Sequence, residues 1–215
     1  MRNAHLALIG ALAIGAFLIG MMLDLDWLRQ ITKPWPVLML AAWVWPTGDK
    51  RIAIGLVCGA VGDVCLSLPG GFLAGMVAFA VGHGLYVAAF FSWYRRPLVS
   101  LLIVTAIYLI ATISLMLPNT GPLAIPVLIY MSIIGLMIWR AAALAADETT
   151  SGLVRWSPLL GALLFGFSDS LIGINKFVVD LRGSAYPIIL LYWAGQGLIA
   201  AAAIARVQRA PTPSP

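Results

Sequence analysis

FLAGMVAFAVGHGLYVAAFFSW, residues 72–93, runs for 22 positions without a formal charge. A helix of that length rises about 33 Å, which crosses the hydrocarbon of a bilayer. The rest of the chain has the same character: it is 62% hydrophobic and only 10% charged, with a mean hydropathy of +1.00. Water-soluble domains are about half apolar and a quarter charged, so these values exclude one. Seven further apolar runs flank the first, at Ala4–Leu23 and at roughly Trp35–Trp45, Ile52–Leu68, Leu98–Leu117, Pro122–Ala146, Pro158–Asn175 and Tyr186–Val207. The expected fold is all-α, a polytopic membrane protein of eight transmembrane helices in a single domain over residues 1–209. Residues 210–215, Ala-Pro-Thr-Pro-Ser-Pro, have nothing to bury and read as a disordered tail.

Ala4–Leu23 is too long for the core of a signal peptide and is expected to stay as an anchor. The run at Trp35–Trp45 is short and lies between Pro34 and Pro46, so it is expected to be the shortest helix, tilted or broken. With eight spans, Arg2, Lys50, Arg51, Arg95, Arg96, Arg140, Arg155, Arg206 and Arg209 fall on one side of the membrane. Arg29, Lys33, Lys176 and Arg182 fall on the other. Basic residues favour the cytoplasmic face, so both termini are expected there, in the inner membrane if the source is bacterial. The net charge of +5 therefore reads as a topology signal and not as a nucleic-acid surface.

Two carboxylates break the pattern. Asp63 is eleven residues past Ile52 and Asp169 eleven past Pro158, which puts both about 16 Å in from the same face. An unpaired carboxylate is costly there, so a matched pair points to function. Gly55, Gly59 and Asp63 recur at fours, as do Phe165, Asp169 and Gly173, so each Asp shares a helix face with small residues and should point into the bundle. The parallel placement is the pattern of a four-plus-four internal repeat. His83 also falls at mid-run, with Tyr86 nearby, and Tyr192 and Gln196 share a face at i, i+4. Each reads on its own as a packing residue, His83 alternatively as a proton carrier. Lys33 and Lys176 read as snorkelling anchors or as partners for a lipid phosphate. With only His5 besides His83, a three-histidine zinc site is excluded, and Cys58 and Cys65 read as packing residues. No metal or other cofactor is expected.

Together these residues resemble the lysoplasmalogenase (YhhN-like) membrane proteins. The first half carries Lys33-Pro34, Gly62-Asp-Val-Cys-Leu-Ser-Leu-Pro69, Phe72-Leu-Ala-Gly75, and Phe79 with His83 and Tyr86. The second half carries Gly121-Pro122, Pro126-Val-Leu-Ile-Tyr130, Met137-Ile-Trp-Arg-Ala141, Gly161-Ala-Leu-Leu-Phe165, Ser168-Asp169-Ser170, Asn175-Lys-Phe177, and Tyr192 with Gln196. The resemblance implies eight transmembrane helices and hydrolysis of the vinyl ether bond of lysoplasmalogen to a fatty aldehyde and a glycerophospho-alcohol. It implies Asp63 and Asp169 as the catalytic pair. Lys33, His83, Tyr86, Tyr130, Ser168, Asn175, Lys176, Tyr192 and Gln196 are then the candidate substrate-binding residues. The expected partners are a lysophospholipid substrate and membrane lipids, with no nucleic acid.

The chemistry of the residues is compatible with that implication. Protonating the β-carbon of a vinyl ether gives an oxocarbenium ion that water attacks, a task for one acid and one base. Two carboxyls in a dry cavity supply both, as in glycosidases. A proton-coupled transporter that uses the same Asp pair as its relay is the rival reading, and a lipid-binding protein without turnover is a third.

Overall fold

The computed structural model describes residues 1–96, 98–150 and 152–208. The tail at 210–215 lies outside the described residues. Among these, nine α-helices form: α1 (Arg2–Met22), α2 (Asp26–Thr32), α3 (Trp35–Val44), α4 (Lys50–Leu66), α5 (Phe72–Trp93), α6 (Val99–Met116), α7 (Ala124–Ala145), α8 (Leu153–Phe177) and α9 (Ala185–Gln208). Six are long and apolar enough to cross a membrane: α1, α5, α6, α7, α8 and α9. The chain is thus a polytopic helical membrane protein. The run at Trp35–Trp45 becomes the ten-residue α3, set off from the seven-residue α2 at Lys33-Pro34.

Helices α3, α4, α5, α7, α8 and α9 pack in sequence and close into a ring, since α9 returns to touch both α3 and α4. Helix α1 leans on α3 from outside, and α6 on α7 and α8. The tightest crossings are built on glycine pairs. A Cβ placed on Gly55 of α4 would lie 2.9 Å from the Gly82 carbonyl oxygen of α5, and one on Gly161 of α8 would lie 2.8 Å from that of Gly195 on α9. Backbones approach this closely only where side chains are absent. The two crossings share a spacing. Gly55 precedes Asp63 by eight residues and Gly161 precedes Asp169 by eight, while Phe79 and Tyr192 each stand three before the partner glycine.

One boundary corrects the sequence reading. Helix α8 begins at Leu153, so Pro158 lies inside it and does not open it. In the second turn a proline deprives only one carbonyl, that of Val154, of its helical donor, and the helix continues through it. Asp169 is therefore 16 residues into α8, and Asp63 is 13 into α4 and one turn from its end. Both carboxylates sit in the half of the bundle nearer α2.

At that opposite, arginine-rich end, Asp49 caps α4 by accepting from the Arg51 amide at 2.9 Å, and its Oδ2 accepts from Arg51 Nη2 at 2.6 Å and Trp93 Nε1 at 2.9 Å. Burial opposes the charge, but the hydrogen bonds from Arg51 and Trp93 outweigh it and hold the Asp49 carboxyl below the usual carboxylate range. A depressed carboxylate stabilises the fold at any pH above about 4 and loses that contribution as pH falls through its lower folded value. Asp49→Ala is expected to cost about 1–2 kcal/mol at neutral pH, measured by thermal unfolding in detergent, with the difference from wild type shrinking in acid.

Candidate active site

Asp63 is held from two sides. Its Oδ1 lies 3.2 Å from the Lys33 ammonium, and its Oδ2 accepts from the Tyr192 hydroxyl at 2.8 Å. Lys33 keeps helical backbone angles at the end of α2, and its side chain reaches the carboxylate on α4. The Asp63 side chain is 2% exposed and that of Lys33 22%. Asp169, on α8, accepts a hydrogen bond from Tyr130 of α7 and, among the described residues, forms no ion pair.

The two aspartates line one chamber together with Lys33, Phe79, Ser168 and Tyr192. The chamber holds about 20 Å³, room for one water molecule. Two larger spaces share wall residues with it. Toward α2 it meets a wide mouth of about 700 Å³ bordered by Asp26, Arg29, Gln30, Lys33, Asn175 and Lys176. Asp169, Phe79 and Leu66 also border an apolar slot of about 50 Å³ lined by Met76, Met116, Met131 and Phe177, which shares Leu66, Phe72 and Ile172 with the mouth. Asp169 faces chamber and slot, whereas Asp63 faces the chamber and, through Lys33, the mouth. The slot has room for only the first carbons of a lipid chain, and the mouth for a charged headgroup.

The remaining candidates divide. Tyr130 and Tyr192 touch the carboxylates directly. Ser168 borders the chamber, but its hydroxyl donates to the Ile188 carbonyl at 2.9 Å and ties α8 to α9. Tyr86 donates to Gln196 at 2.7 Å, a buried pair behind the chamber. His83 is not in the chamber wall. It is 1% exposed, both ring nitrogens lack a partner among the described residues, and Phe165 meets it edge to face at 4.2 Å between centroids. Asn175 accepts from the Leu181 amide at 2.7 Å, and the Lys176 ammonium rests 4.4 Å from the centre of the Phe72 ring, both at the rim of the mouth. Sequence reasoning missed Arg29, Asp26 and Gln30, which lie on the short helix α2, and the methionines of the slot, which are indistinguishable in sequence from lipid-facing ones.

The residues that make this site also identify its lineage. Residues 28–203 match the YhhN family. The chain is 37% identical over 198 residues to lysoplasmalogenase TMEM86B of Homo sapiens, covering 88% of this chain and 80% of that protein. It is 39% identical over 163 residues to lysoplasmalogenase TMEM86A of Bos taurus, covering 72% and 65%. It is 31% identical over 177 residues to a lysoplasmalogenase of Mycobacterium tuberculosis, covering 77% and 65%. No solved structure matches the chain. From Lys33 through Tyr192, every residue bordering the paired-carboxylate chamber falls inside the matched segment, and the chain belongs to the YhhN family.

Proposed function

We propose that this protein hydrolyses the vinyl ether bond of a lysoplasmalogen, with Asp169 as general acid and Asp63 as general base. The observation that carries the reading is the chamber with room for one water, bordered by both carboxylates and sharing walls with a cationic mouth and an apolar slot. The relatives' names supply the reaction class.

The geometry favours one division of labour. In a vinyl ether the carbon to be protonated lies on the tail side and the carbon to be hydrated lies next to the ether oxygen. Asp169 borders the slot, so it faces the tail-side carbon. Asp63 is ion-paired and accepts a hydrogen bond, contacts that favour its ionised form and make it the candidate base. Asp169 gives its proton to the tail-side carbon, and the adjacent oxocarbenium carbon takes up water as Asp63 removes a proton. Collapse of the hemiacetal passes its hydroxyl proton to Asp169 while Asp63 returns its proton to the departing glycerol oxygen. Both groups are then restored, and aldehyde and glycerophospho-alcohol are released.

The same reading places eight spans in the membrane, with α2 and α3 as a broken second span and α4, 17 residues long, as a short third. Both termini face the cytoplasm, so the mouth lies on the other side. The equal glycine-to-aspartate spacing in α4 and α8 supports a parallel four-plus-four repeat.

The test is aldehyde release from a lyso-lipid bearing a vinyl ether by purified protein. Lys176→Ala is expected to raise KM about tenfold by removing one cation from the mouth while leaving kcat within about twofold, because its ammonium lies outside the chamber. Absence of aldehyde from the wild type would leave the transporter reading of the Asp pair in place.

A further inference from the structure

Lys33 stands where two demands compete. Of the residues common to the mouth and the chamber, it is the polar one; the others are Leu66, Ile172, Ile188 and Ile189. Its ammonium pairs with Asp63 at 3.2 Å, yet its flexible side chain also borders the mouth together with Arg29 and Lys176. In a lysoplasmalogen only a glycerol separates the vinyl ether from the phosphate, so a substrate whose ether reaches the chamber brings its phosphate to the Lys33 side of the mouth. Arg29 already holds Asp26, which leaves Lys176 and Lys33 as the mouth's cations for a phosphodiester anion.

We infer that Lys33 is a substrate-operated switch: the headgroup phosphate draws its ammonium off Asp63 and so frees the carboxylate to act on water. Paired with a cation, a carboxylate holds its electrons and is a poor base; released, and still facing Asp169 across the chamber and the Tyr192 hydroxyl, it takes a proton more readily. The phosphate is thus read in the chemical step as well as in binding. A single-chain vinyl ether that lacks a phosphate would enter the slot and find the base still neutralised. Lys33 acts here through Asp63 and is a positioning residue. The inference rests on the two-aspartate reading for its consequence in catalysis, but the exchange of partners itself does not.

The experiment compares a vinyl-ether lysophospholipid with the corresponding 1-alkenylglycerol, which has the same chain and no phosphate. For the wild type, kcat is expected to be about 10- to 100-fold higher on the phosphate-bearing substrate. In Lys33→Met the ratio is expected to fall to about one, whatever the absolute rates, while Lys33→Arg retains it. A ratio near one in the wild type, or one that persists in Lys33→Met, overturns the switch. A readout without turnover separates this from the hydrolase reading. The carboxylate infrared band lost in Asp63→Asn is expected to shift when the inert 1-O-alkyl lysophospholipid binds and to stay in place with 1-O-alkylglycerol. A band that moves with both ligands or with neither overturns the switch even if aldehyde is released. A band that moves with the phospholipid alone, in a protein that releases no aldehyde, upholds the switch and removes the hydrolase reading.

Discussion

Asp169→Asn and Asp63→Asn are each expected to lower kcat for aldehyde release by about 10²- to 10⁴-fold or more, the range lost with a general acid or base. Asparagine keeps the size and the hydrogen-bonding edge of the side chain, so Tyr130 and Tyr192 retain an acceptor and the helices keep their packing. Lipid binding should survive in both variants, because affinity comes from the apolar slot and the cations of the mouth. The double variant is expected to be little worse than either single one if the pair works as a unit. Steady-state kinetics with a parallel binding assay decides the matter. Near wild-type turnover in either folded variant would reduce that aspartate to a structural hydrogen-bonding residue.

The second large effect falls on the fold. Gly161→Val is expected to destabilise the protein by about 3 kcal/mol or more, because the new side chain meets the Gly195 carbonyl at a distance no Cβ tolerates and backbone cannot step aside as a side chain can. The crossing that would be forced apart holds α8, which bears Asp169, against α9, which bears Tyr192. Loss of activity should therefore track loss of folded protein. Gly84→Ala is the control. A Cβ at Gly84 meets nothing within 4 Å, and the change is expected to be neutral or to stabilise by up to about 1 kcal/mol. Thermal unfolding of both in detergent checks the pair.

Much of the fold was legible because long charge-free runs in an all-apolar chain have one outcome, and α5 matches its run residue for residue. Pro158 misled because proline usually stands at helix starts, whereas here the Gly152 turn, at φ +62°, opens the helix before it. That shift of five residues moves the start of α8 and leaves Asp169 beside Asp63 in one chamber. Asp63 and Asp169 announced themselves by the cost of burying charge, and Tyr192 by sharing a helix face with Gln196. The Lys33–Asp63 pair was not legible. A lysine at the end of an apolar run reads as an anchor, and its partner Asp63 lies thirty residues away on another helix. His83 read as a packing residue or a proton carrier, and it packs between Phe79 and Phe165 without bordering the chamber.

The central claim is that a carboxyl protonates the tail-side vinyl carbon and a chamber water attacks its neighbour. It is tested most directly by letting the purified protein act on lysoplasmalogen in D₂O, trapping the aldehyde at once by reduction and determining its isotopic content by mass spectrometry. The expected product carries a single deuterium on the carbon next to the former carbonyl. An aldehyde formed without deuterium at that carbon would contradict the account, because the bond would then have broken by a route in which neither aspartate supplies a proton to carbon.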